Sequence, residues 1–75
     1  MTKQRYYQRI RDLREDSDFT QAELAKKLGL YTTQYRRYEL AETTIPADII
    51  VDLAKFYNVS TDYILGMTND MSKKW

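Results

Sequence analysis

The sequence contains no cysteine and no histidine, and only two glycines and one proline. Without cysteine there is no disulfide framework and no thiolate metal site. Without histidine the commonest general base and the commonest imidazole metal ligand are both missing. Two glycines are too few for a glycine-rich phosphate loop. The acidic group Glu15, Asp16 and Asp18 falls at a predicted helix end with no companion base or metal ligand, so neither an enzyme nor a cofactor is expected. No apolar run approaches the roughly 20 residues that cross a bilayer. Met1–Arg5 leads into polar sequence without the apolar stretch of a secretory leader, and a cytoplasmic location with no membrane partner is the expectation.

What remains is a chain of 75 residues, 43% hydrophobic and 31% charged, which suits one globular domain with one modest core. The net charge of +1 favours no partner. Its distribution is less even: residues 1–40 carry nine Lys/Arg against six acids, and residues 41–75 carry three against five. Either a basic face in the first half meets phosphates or both halves are ordinary solvated surface.

The pattern predicts five helices and no strands. Tyr6, Ile10 and Leu13 recur at helical spacing over about 3–16. Thr20 and Glu23 fit a capping box, and Phe19 and Leu24 a hydrophobic staple, at the start of a second helix that stops at Gly29. A third runs from about Thr32 to Leu40. A fourth begins near Pro46, placed in its first turn, with Ala47, Ile50, Leu53, Ala54 and Tyr57 as its apolar stripe. Ser60 caps a short fifth helix, with Val59 and Ile64 as a second staple and Gly66 as its stop. The expected division is a domain over 1–66 and a polar tail over 67–75.

Two helices joined by a three- or four-residue turn containing glycine describe a helix-turn-helix, here over residues 21–40. Ala25 provides the small residue at the crossing. On a wheel of about 100° per residue, Tyr35 and Tyr38 fall on one side of the third helix. Thr32, Thr33, Arg36 and Arg37 fall on the other. Short hydroxyl side chains allow close approach to base edges, and arginine can donate two hydrogen bonds to guanine. The same four residues would also serve as a plain solvated face.

Several blocks resemble the Xre/Cro family, the lambda-repressor-like helix-turn-helix regulators of bacteria and phages. They are Arg9-Ile10-Arg11-Asp12-Leu13-Arg14, Thr20-Gln21-Ala22-Glu23-Leu24-Ala25-Lys26-Lys27-Leu28-Gly29, Tyr38-Glu39, Ile45-Pro46, Leu53 to Ser60, and Asp62-Tyr63-Ile64-Leu65-Gly66. The resemblance covers about residues 5–66. It implies an all-α, compact five-helix domain that binds a duplex DNA operator as a homodimer through the major groove, in a bacterial or phage-infected cell. It further implies base contacts from Thr32, Thr33, Arg36 and Arg37 and a phosphate contact from Gln21. Arg14 and Glu39 match a pair that forms a partly buried salt bridge between the first and third helices.

The departures from the family pattern are local. Tyr31 stands where many members have a capping serine, which shifts the expected cap to Thr32 and makes Tyr31 a candidate phosphate contact. Tyr35 replaces a usual Ile or Val. Leu40-Ala41-Glu42-Thr43-Thr44 replaces a basic, Asn-Gly-containing loop, leaving Thr43 as a candidate phosphate contact and Glu42 as a charge that repels phosphate. Lys3, Arg5, Arg9 and Arg11, with Tyr6 and Tyr7, are further candidates for the backbone. Tyr63, Met67, Met71 and Trp75 are expected to form an apolar surface for dimerisation, or for a partner protein such as the toxin gripped by a DNA-binding antitoxin.

Overall fold

The computed structural model describes residues 3–71, with side chains from residue 8 onward; Trp75 and the side chains of Lys3, Arg5, Tyr6 and Tyr7 lie outside that description. Its elements are α1 (Lys3–Asp16), α2 (Gln21–Leu28), α3 (Thr32–Glu39), α4 (Ala47–Tyr57) and α5 (Thr61–Ile64), with no strand among the described residues. The start of α2 follows from its sequence signals. The Thr20 hydroxyl accepts from the Glu23 amide at 3.0 Å, and the Glu23 carboxylate accepts from the Thr20 amide at 2.8 Å. Ser60 caps α5 by accepting from the Tyr63 amide at 2.9 Å, with Val59 and Ile64 both buried beneath it.

Every helix contributes to one core. Ile10 and Leu13 come from α1, Leu24 and Ala25 from α2, Tyr35 and Tyr38 from α3, and Ile49, Ile50, Leu53 and Ala54 from α4. Two expectations shift here. Pro46 is extended at φ −60°, ψ 150° and precedes α4 rather than joining its first turn. Ala47, the first helical residue, is therefore exposed, while Ile45 and Ile49 fill the interior at that end.

All five helices end the same way. The residue past the helix is left-handed at Asp18, Gly29, Ala41, Asn58 and Gly66, with φ between 60° and 78°. The following amide then returns to a carbonyl five residues back: Phe19 to Arg14, Leu30 to Ala25, Glu42 to Arg37, Val59 to Ala54 and Met67 to Asp62. This double-bonded termination satisfies carbonyls that the helix itself leaves open. Glycine, Asn and Asp adopt the left-handed region readily, and alanine does not. Ala41 is the misfit of the set.

The polar segment after α5 is fastened over its first residues. The Arg9 guanidinium donates to the carbonyls of Tyr63 at 3.0 Å and Thr68 at 3.1 Å, and to Asn69 Oδ1 at 3.3 Å. The same group lies 4.1 Å from the Tyr63 ring centroid, and the Ser60 amide donates to the Met71 carbonyl at 3.2 Å. Arg9 thus holds the chain after α5 against α1, with both terminal nitrogens donating within the protein. Arg11 pairs instead with Glu15 along the same helix at 3.1 Å.

Arg14 and Glu39 join α1 to α3. Arg14 Nε donates to Glu39 Oε2 at 2.7 Å, Nη2 donates to Oε1 at 3.1 Å, and Nη1 donates to the Phe19 carbonyl at 2.8 Å. The side chains are only 12% and 3% exposed, so this is a buried, two-pronged pair rather than a surface contact. Burial by itself pushes the Glu39 carboxyl up, but the hydrogen bonds and positive charge of Arg14, with Gln21, outweigh it and hold the group below its usual range. The buried Tyr35 hydroxyl faces the same carboxylate without reaching hydrogen-bond geometry, and burial next to that negative charge raises its ionisation far above the usual phenol value.

Ala41→Gly relieves the left-handed strain, partly offset by a more flexible unfolded chain, for a net gain of about 0.5–1 kcal/mol; a thermal midpoint that fails to rise contradicts the strain. Arg14→Ala strands a buried carboxylate and costs about 3–5 kcal/mol in denaturant unfolding. Because the folded Glu39 is depressed, its stabilisation is present above the unfolded value of about 4.3 and is lost as pH falls through the folded value. In Glu39→Gln that acid-dependent component should disappear.

Candidate nucleic-acid interface

The turn between α2 and α3 is shaped by Gly29. A methyl group built there meets nothing within 4 Å, so glycine is needed for its φ of 73° and not for space. Leu30 then turns partly inward against the core, and Tyr31, 82% exposed, opens α3 from an extended conformation. No side chain caps α3, and Thr32 lies inside its first turn. The expected capping role of Thr32 is therefore corrected. Its hydroxyl would have to accept from an amide two or three residues further on, and that bond is absent.

Packing fixes the orientation of α3. Tyr35 is fully buried and Tyr38 nearly so, which leaves Thr32, Thr33, Gln34, Arg36 and Arg37 facing solvent. Among the described residues the side chains of Thr32, Thr33 and Arg36 make no hydrogen bond or ion pair with the rest of the chain. Their donors and acceptors are available to an outside partner. Among the described residues Arg37 has one ion-pair partner, with its Nε 3.7 Å from Glu42 Oε1.

Of the sequence-derived contact residues on α2, on α3 and in the loops flanking α3, all but Thr32 line one or more of three open depressions. Tyr31, Thr33, Arg37 and Thr43 line one together with Gln34, Tyr38, Thr44 and Pro46. Thr33, Arg36, Arg37, Leu40 and Glu42 line a second on the neighbouring side of α3. Gln21 lies in a third with Arg11, Arg14, Glu39 and Leu40. Thr33 and Arg37 belong to both of the first two, and Thr32 lies outside all three.

Two side chains carry roles that sequence reasoning did not assign. Gln34 is exposed on the same face as Thr33 and Arg37, donating to the Tyr38 hydroxyl at 3.2 Å. The helical spacing that selected its neighbours was sufficient to find it. Gln21 Nε2 donates to Glu39 Oε1 at 3.0 Å, so its amide braces the carboxylate that anchors α3. Sequence spacing gave no sign of that bond, because the two residues meet only when α2 packs on α3. Among the described residues no cluster of metal-ligating side chains occurs, and no helix is long and apolar enough to cross a membrane.

Comparison with known proteins agrees with this geometry. The model of a helix-turn-helix family matches residues 10–64. Over 69 residues the chain is 44% identical to an uncharacterised HTH-type transcriptional regulator, YobD, of Bacillus subtilis (strain 168), covering 92% of this chain and 62% of that protein. Over 66 residues it is 36% identical to the HTH-type transcriptional regulator ImmR of the same strain, covering 88% of this chain and 51% of that protein. The chain thus spans only about half to three-fifths of the length of these relatives. No solved structure matches it significantly. The extent of the family match and its placement over all five helices show that the chain belongs to the Xre/Cro-like helix-turn-helix family.

Proposed function

We propose that this chain is a sequence-specific DNA-binding transcriptional regulator that places α3 in the major groove of a duplex operator. The observation that carries the reading is the outward face of α3. Among the described residues it presents Thr32, Thr33 and Arg36 without internal side-chain partners, on a helix anchored by a buried ion pair. Hydroxyl-bearing side chains at the N-terminal turn suit close approach, with the Thr methyl groups able to pack on a thymine methyl. Arg36 and Arg37, one turn later, suit guanine O6 and N7. Gln21, Tyr31 and Thr43 are the proposed phosphate contacts, which set register rather than sequence.

The proposed assembly is a homodimer on a near-palindromic operator, with recognition helices about 34 Å apart. Support comes from Leu65, Met67 and Met71, which are 40%, 75% and 48% exposed beside α5. An exposed apolar surface of that kind is commonly a protein contact. The proposed location is the cytoplasm, where the operator is accessible, and no enzymatic role is proposed.

Selection of bound duplexes from a random pool tests the reading. A consensus with two related half-sites is expected, together with affinity that falls steeply with salt. Binding without sequence preference, or no salt-dependent binding, would sink it. Arg37→Ala should cost about 1–3 kcal/mol and relax the consensus at one position per half-site. An equal loss on every sequence would assign Arg37 to phosphate instead.

A further inference from the structure

At four of the five helix ends the residue after the left-handed position is apolar: Phe19, Leu30, Val59 and Met67. An apolar contact back onto the last turn commonly accompanies this kind of termination. At the end of α3 the residue is Glu42, and the last turn offers Arg37. The Glu42 amide donates to the Arg37 carbonyl at 3.0 Å, and the Ala41 amide donates to the Tyr38 carbonyl at 3.2 Å. The backbone therefore brings Glu42 back over Arg37 whatever its side chain does. The carboxylate then lies 3.7 Å from Arg37 Nε, an ion pair too long for a hydrogen bond. Both side chains are more than half exposed, so the pair is weak in water.

We propose that Glu42 is a positioning residue for DNA recognition, holding the Nε edge of Arg37 so that its two terminal nitrogens are directed at a base. The inference rests on the regulator reading of α3. A guanidinium has two edges that can bind bidentately, and a carboxylate at the Nε edge leaves the terminal pair as the free fork. Docking of α3 against DNA removes water from around the pair and strengthens it, so its value is larger in the complex than in the free chain. The acidic residue that otherwise repels phosphate thereby acquires a use. Its charge is balanced by Arg37, and its backbone position is fixed by the turn.

The test is duplex selection and binding with the wild-type chain, Glu42→Gln, Arg37→Ala and the double variant, each first checked for an unchanged thermal midpoint. Glu42→Gln keeps the shape and the backbone bonds but not the charge. The expected result is a loss of discrimination of about tenfold at the base position that Arg37→Ala also relaxes, and at no other. The double variant should show no further loss there. A uniform gain in affinity on all sequences, with the consensus intact, would make Glu42 only a phosphate-repelling charge and overturn the proposal. A changed preference at a different base would make it a direct reader and overturn it equally. Absence of sequence preference in the wild-type chain would instead remove the regulator reading itself, and this inference with it. An Arg37 side-chain Nε–H resonance in the free protein that is the same in wild type and Glu42→Gln would show that the pair does not form, independently of DNA.

Discussion

The buried pair between Arg14 and Glu39 is the constraint on which the placement of α3 depends. Helix α3 has eight residues, too few to be stable alone, and its sequence is rich in polar side chains. Its apolar contribution to the core is two residues, Tyr35 and Tyr38. Burial of these two rings sets which face of α3 points inward. The two-pronged contact with Arg14 supplies direction, because a guanidinium and a carboxylate meet productively in one plane. Gln21 from α2 adds a third hydrogen bond to the same carboxylate, so three helices converge on Glu39. Rotation of α3 by one residue would turn Arg36 or Arg37 away from its outward face and leave Arg14 without its acceptor.

The same arrangement separates the charges of α3 by role. Glu39 is neutralised inside the fold, so the outward surface is left with Arg36 and Arg37 as its cations. Arg37 is balanced by Glu42, whereas Arg36 is not. This gives a low net charge at the proposed recognition face compared with a wholly basic one. On the proposed reading, low non-specific attraction and directional base contacts would favour discrimination over raw affinity. The cluster also contains two hydroxyls, of Tyr35 and Tyr57, that are buried without hydrogen-bond partners. Their rings contribute to the core, Tyr35 fully buried and Tyr57 packed against it.

Much of this was legible in the chain itself because the signals are local. Thr20 with Glu23, Phe19 with Leu24, and Ser60 between Val59 and Ile64 declare helix starts within a few residues. Gly29 and Gly66 declare ends. The all-helical fold and the outward set on α3 follow from spacing alone. What sequence did not disclose depends on where the chain meets itself. Arg9 reads as a surface cation until residues 63–69 return to it. The bond from the Gln21 amide to Glu39 has no local signal in the sequence, because it exists only when α2 packs on α3. Ala41 carries no mark of a left-handed conformation, since the fold imposes that state on a residue that disfavours it. Pro46 misled by one position, because proline suits both the first helical residue and the extended residue before it.

The central claim is that the face of α3 bearing Thr32, Thr33, Arg36 and Arg37 is where DNA is read. Titrating the isotopically labelled chain with a selected duplex, and following backbone and arginine side-chain resonances, tests this most directly. The account predicts the largest changes at Thr32, Thr33, Arg36 and Arg37, smaller ones at Gln21, Tyr31 and Thr43, and none at the Arg9 contacts with residues 63–69. Changes concentrated on α4 and α5, with α3 unaffected, would contradict it.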